Sequence, residues 1–250
     1  MDTPAQLTTP PWVVGTTRPE GLTALLTSLA VERDLFPDLI EARLDLGAIS
    51  PGHSHPDPTP FFSTCAELES AGVPVLVTVR LVADGGQWTG DAERLPWFER
   101  ACGVASWLDI EVESSIAPAV VAAAHAAGRR VIVSHHDFSG TPDGATLDQL
   151  ALDSEEAGAD IVKIATRVDT LDDHAVLVAF AHRARDAARP IAIIGMGALG
   201  TSLRSYLPCI GSRLTYGFID EVAAPGQIAA RELVERLMRD CPTYAASRRS

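Results

Sequence analysis

Residues 158–167 read GADIVKIATR and carry Lys163; every other one of the 20 Lys and Arg residues in the chain is arginine. The distinction is chemical. An amine can shed its proton and attack a carbonyl carbon to form a Schiff base, whereas a guanidinium stays charged and cannot. Flanked by Val162 and Ile164, Lys163 points away from both in an extended chain, toward a barrel interior or toward a helix layer. A lysine among helices would be stranded, so the interior is the better reading. There it is either a nucleophile or half of a structural ion pair with Glu111 or Asp160.

A second candidate is the run SHHDF (134–138), where His135 and His136 would face opposite sides of a strand. A histidine suits a proton shuttle, but parity alone leaves the choice between the two open. Glu41, Arg43 and Asp45 alternate with Ala42 and Leu44, so all three share one face. Buried there, they need partners, either each other or a ligand. Arg80, Asp109 and Glu111 stand at comparable places. His53 and His55 could begin a metal site, yet no third ligand stands at a telling spacing and the segment is a proline-rich loop. Gly195, Gly197 and Gly200 spell GxGxxG, with Asp220 beyond them, as in a dinucleotide fingerprint. That fingerprint normally opens its fold, and too little chain follows it here, so a glycine-rich turn after a barrel strand fits better.

These residues need elements to position them, and the pattern supplies eight. Short apolar, β-branched runs recur at 12–18, 39–46, 74–80, 106–113, 130–137, 161–167, 190–197 and 214–219. Helix-like stretches lie between them, among them the Ala-rich 116–128, ending in glycine, and the amphipathic 170–188. Alternating strands and helices with no break in composition predict an α/β protein, a single (β/α)8 TIM barrel over 12–241. Residues 1–11 and 242–250 read as loose tails. In such a barrel chemistry gathers at the C-terminal ends of the strands, which is where the candidates fall.

Bulk properties bound the partners. A chain of 250 residues with 46% hydrophobic content suits one barrel with a full core. The net charge of −13 argues against a nucleic acid partner. With no long apolar run, no membrane span is expected, and MDTPAQLTTPP does not read as a signal peptide. Cys65, Cys102, Cys209 and Cys241 are scattered without CxxC and read as reduced thiols in a cytoplasmic protein.

Taken together, ExRxD (41–45), TxR (78–80), DxE (109–111), SxHDF with a following TP (134–142) and ADIxKIA (159–165) resemble the type I 3-dehydroquinate dehydratases. MGxxG with a following Arg (196–204) and APGQ (224–227) continue the match, which runs in order from Trp12 to Met238. The resemblance implies a homodimeric barrel of the shikimate and quinate pathways, without metal or cofactor, acting on 3-dehydroquinate. It implies that Lys163 forms an iminium with the C3 ketone. It settles the histidine on His136, as general acid and base. It also places Arg204 and Gln227 on the substrate carboxylate and Glu41, Arg43 and Arg80 on its hydroxyls, with Met196 and Phe138 beside it and APGQ as a lid.

Two positions depart from the family pattern. Asp84 stands where a glutamate usually orients the histidine, and Ala223 where a serine usually meets the carboxylate. Leu203 also replaces a common serine, beside Ser202. The departures imply slower or weaker-binding catalysis on this substrate. They leave open a related cyclic hydroxy-ketone, dehydrated or cleaved as an aldolase would, or a ligand-binding relative without turnover.

Overall fold

The computed structural model describes residues 9–28, 33–48, 58–222 and 226–249. His53, His55 and Ala223 therefore lie outside the described residues. Among the described residues, eight strands alternate with helices: β1 (Trp12–Thr17), β2 (Leu39–Arg43), β3 (Val75–Thr78), β4 (Trp107–Glu111), β5 (Arg130–Asp137), β6 (Ile161–Arg167), β7 (Ile191–Met196) and β8 (Leu214–Phe218). The helices are α1 (Pro19–Ser28), α2 (Pro58–Ser70), α3 (Leu95–Ala101), α4 (Ala117–Ala126), α5 (Gly144–Glu156), α6 (Leu171–Asp186), α7 (Leu203–Ile210), α8 (Ala230–Asp240) and α9 (Pro242–Ser247). Each predicted strand forms within its predicted run. The predicted helices at 116–128 and 170–188 form as α4 and α6, the latter started by a Thr170–Asp173 capping box.

Neighbouring strands pair in parallel from β1 through β7, and β1 also pairs with β8. β7 and β8 lie side by side: the Arg213 N–H donates to Ile191 O at 2.7 Å, and the Ile193 N–H to Ser212 Oγ at 2.9 Å. The result is the expected single-domain (β/α)8 barrel, nearly closed. Its strands are buried on both faces, which is why they read as near-continuous apolar runs. The outer face packs on the helices. Inside, Val14, Leu39, Leu76, Trp107, Ile132, Ile161 and Leu214 belong to one apolar cluster that seals the interior below the polar residues.

One expectation fails. The described part of the expected tail, residues 242–249, is not loose, because Pro242–Ser247 form α9 and its side chains anchor it. Tyr244 is buried and its hydroxyl donates to Asp38 Oδ2 at 2.9 Å, while Arg248 pairs with Asp38 Oδ1 at 2.7 Å. Four residues apart, the two share a helix face, and both meet the carboxylate that precedes β2. The segment lacks an apolar period because polar contacts hold it.

Candidate active site

Because side chains alternate along a strand, residues two apart share the interior. β2 sends in Glu41 and Arg43, β4 Asp109 and Glu111, β5 Ser134 and His136, β6 Lys163 and Ala165, and β8 Tyr216. They surround or underlie a cavity of about 150 Å³ lined in part by Glu41, Arg43, Arg80, His136, Lys163 and Tyr216. Asp84, Phe138, Met196, Arg204 and Gln227 complete much of its wall. Every described residue that sequence reasoning assigned to the site thus borders one cavity.

Buried charges in and beside this cavity form a ladder of alternating sign. Lys163 Nζ lies 3.0 Å from Asp109 Oδ2, and Arg80 reaches Asp109 Oδ1 at 2.8 Å. Arg80 also pairs with Glu111 at 2.8 Å, and Glu111 with Arg94 at 2.6 Å. Arg94, fully buried, ends the ladder on Asp91 at 2.5 Å. Ser134 Oγ braces the middle, donating to Asp109 at 2.7 Å and accepting from Arg80 at 2.9 Å. Each ion is compensated, which is the condition for burying it. Burial works to raise the Asp109 pKa, but Arg80 and Lys163 overcome it and hold the carboxylate far below its usual range. The ion pair weighed as the alternative reading of Lys163, with Glu111 or Asp160, is made instead with Asp109. Glu111 is occupied by two arginines, and Asp160 sits before β6, accepting from the Val131 N–H at 2.8 Å.

Arg94 carried no signal in the sequence, since an arginine in DAERLPW reads as a solvated helix residue. Its burial predicts a large structural effect: Arg94→Met should lower the unfolding free energy by about 3–5 kcal/mol, because Glu111 keeps one cation and loses the other. Urea titration reads this directly, and a loss below about 1 kcal/mol would contradict the role of the ladder.

The two histidines separate as parity requires. His135 turns out to Glu113, its hydrogen-bond partner, which raises its pKa. His136 turns in. Burial first, then the positive charges of Arg80 and Lys163, push its pKa well below the ordinary histidine value, so its ring is neutral at pH 7. Phe138 stacks nearly parallel to it, at 6.4 Å between centroids. Asp84 Oδ1 lies 3.7 Å from its Nδ1, beyond hydrogen-bond range, and Nδ1 has no hydrogen-bond partner among the described residues. Burial, reinforced by Glu111, raises the pKa of Asp84.

The remaining polar residues are held in place. Glu41 accepts from Thr16 at 2.7 Å and from Thr78 at 2.9 Å. Arg43 grips Asp45 through two bonds, at 2.8 and 2.7 Å, although Asp45 lies in the short turn Leu44–Leu46 after β2 and not on the strand where the alternation put it. Arg204, on α7, donates to Gly226 O at 2.8 Å and Tyr216 O at 3.0 Å, and burial lowers its pKa to about 10. Gln227 Nε2 reaches Thr16 Oγ1 at 3.5 Å. Two glycines make this wall. A Cβ on Gly200 would stand 2.4 Å from the Gly195 carbonyl carbon, and a Cβ on Gly226, whose φ is +72°, would stand at the same distance from Gly197 O. The glycine-rich stretch is therefore a tight turn above β7 against which Gly226 packs.

A buried amine, a neutral imidazole and several guanidinium groups around one small cavity can do carbonyl chemistry on a polar, anionic molecule. The comparisons point the same way. The sequence matches the family description Type I 3-dehydroquinase over residues 20–239. It is 35% identical over 198 residues to a 3-dehydroquinate dehydratase of Methanothrix thermoacetophila, spanning 78% of this chain and 79% of that protein. To the protein of the same name from Methanosarcina barkeri it is 36% identical over 205 residues, spanning 78% and 82% of the two chains. The crystal structure of 3-dehydroquinate dehydratase from Geobacillus kaustophilus HTA426 superposes with a TM-score of 0.78 at 27% identity, covering 93% of each chain.

Proposed function

The chain belongs to the type I 3-dehydroquinase family, and from that premise we propose that it is a hydro-lyase converting 3-dehydroquinate to 3-dehydroshikimate through a Schiff base on Lys163. The observation that carries the proposal is the shared cavity: Lys163, the only lysine, and His136, held neutral, both border it.

In the proposed reaction Lys163 releases its ammonium proton to solvent, the free amine adds to C3, and the ketone oxygen takes one proton from the amine and one from solvent and departs as water, leaving an iminium. His136, unprotonated, takes the proton from C2, and the electron pair moves into the iminium to give an enamine. The enamine expels the C1 hydroxyl, which takes a proton from His136 and leaves as water. Water then hydrolyses the iminium, returning the amine and releasing the product. The sum is the loss of one water from the substrate. Asp109 fixes the amine before attack, and the ladder behind it keeps that carboxylate ionised. Arg204 and Gln227 serve the substrate carboxylate; Glu41, Arg43 and Arg80 serve its hydroxyls. Met196 and Phe138 supply apolar wall, and the lid role of APGQ is carried over from the resemblance. Ala223, lacking the usual serine hydroxyl, gives the carboxylate one bond fewer. The reading also includes a homodimer, taken from the resemblance, and a cytoplasmic setting, which four free cysteines support.

Asp84 is the weak point of the machinery. With 3.7 Å between its oxygen and His136 Nδ1, it orients the ring only loosely. Asp84→Glu adds one methylene, enough to close the gap to a hydrogen bond. Its kcat should rise about fivefold, the worth of one modest hydrogen bond. Steady-state kinetics decide it, and an unchanged or lower kcat would show that the gap does not limit the reaction. The assignment itself is tested by supplying 3-dehydroquinate and following the absorbance of the conjugated product. No product from folded enzyme would defeat it.

A further inference from the structure

Tyr216 is buried, 5% exposed, and its side chain borders the cavity. Its ring face lies beneath the amine, with Lys163 Nζ 4.5 Å from the centroid. The hydroxyl has no hydrogen-bond partner among the described residues. The reason lies in its neighbours. The nearby carboxylates are already served: Asp109 by Lys163, Arg80 and Ser134, and Glu41 by Thr16 and Thr78. A buried hydroxyl without an acceptor is a cost to the folded protein, and it points to an acceptor that arrives with a ligand.

We propose that Tyr216 is a substrate-binding residue whose hydroxyl donates a hydrogen bond to the C4 hydroxyl oxygen of the bound cyclic hydroxy-ketone. This rests on the reaction proposed above. The ring and the hydroxyl then do different things. The ring face attracts the positive nitrogen both as ammonium and as iminium. The hydroxyl reads the oxygen beside the carbon that nitrogen attacks. His136 and Tyr216 enter from strands on opposite sides of β6, so a ring held at C3 presents C2 to the histidine and C4 to the tyrosine. Burial, with Asp109 and Glu41 nearby, raises the phenol's pKa well above its ordinary value, keeping it a donor.

The test is Tyr216→Phe, which keeps the ring and removes one oxygen, measured beside the parent enzyme. With 3-dehydroquinate the variant should lose about tenfold in kcat/KM, as expected for one buried hydrogen bond to the substrate. Borohydride should still fix substrate on Lys163. The melting temperature should stay level or rise, since the free protein loses an unsatisfied group. A substrate analogue lacking the C4 hydroxyl should be handled equally by both proteins. Equal kcat/KM on the full substrate, a persistent difference on the analogue, or a lowered melting temperature would each overturn the proposal. Failure of the parent enzyme on 3-dehydroquinate would instead overturn the reaction on which it rests.

Discussion

Lys163→Met is expected to lower turnover of 3-dehydroquinate by roughly 10⁵-fold or more, since it removes a covalent partner held at the reacting carbon. The fold should survive, because Asp109 keeps Arg80 and Ser134 when the lysine is lost. Methionine alone would not separate a nucleophile from a necessary charge. Lys163→Arg does. It restores a cation beside Asp109 but cannot form an imine. Steady-state rates for the two variants should be equally low. Activity of the arginine variant within about tenfold of the parent would reduce Lys163 to an electrostatic role, since no covalent step could then be at work.

His136→Ala is expected to lower kcat by about 10²–10⁴-fold, the usual worth of a positioned acid and base. Lys163 remains in this variant, so substrate should still be trapped on it, and loss of rate without loss of trapping is the signature of a proton-transfer role. The pH profile carries a second expectation. Burial, Arg80 and Lys163 hold the His136 pKa well below 6.5. The kcat/KM of the parent enzyme should therefore stay level as pH falls through 6.5 and decline only at lower pH. A midpoint at or above 6.5 would contradict a neutral, buried base. Stability follows the same sign. The unfolded chain binds a proton at this histidine before the folded protein does, so the folded state loses stability as pH drops below about 6.5.

The barrel was legible because its strands are buried on both faces. Runs such as PVLVTVR and PIAIIGMG need little else to be read as core strands, and the spacing between them leaves room for one helix each. The inward turn of Glu41 and Arg43 was legible from parity, whereas Asp45, expected on the same strand, lies in the turn Leu44–Leu46 after β2 and pairs with Arg43 from there. Parity stopped at His135 and His136, which differ only in which side of β5 faces the cavity. The local pattern is symmetrical there, and barrel closure breaks the symmetry.

What escaped the sequence is what closure creates. Lys163 and Asp109 are 54 positions apart, and the lysine's partner is decided by Arg80 and Arg94 holding Glu111 away from it. Arg94 is buried only because the turn before α3 folds it under β3, where it donates to Val79 O at 2.7 Å. Tyr216 falls in the strand run LTYGFI with nothing to mark its hydroxyl; the importance of that hydroxyl depends on neighbours that already have their partners. Asp84 is the reverse case. The missing methylene was visible in the sequence as a departure from the family pattern, and the structure measures it as a 3.7 Å gap.

The central claim is a covalent bond between Lys163 and the substrate, and reduction with borohydride tests it most directly. The enzyme would be treated with 3-dehydroquinate and borohydride, digested, and its peptides weighed. One adduct is expected, on the peptide carrying Lys163, in step with loss of activity; the chain's terminal amine is the only other amine that could react. Continued turnover with no adduct at Lys163, or an adduct confined to the terminal amine, would contradict the account.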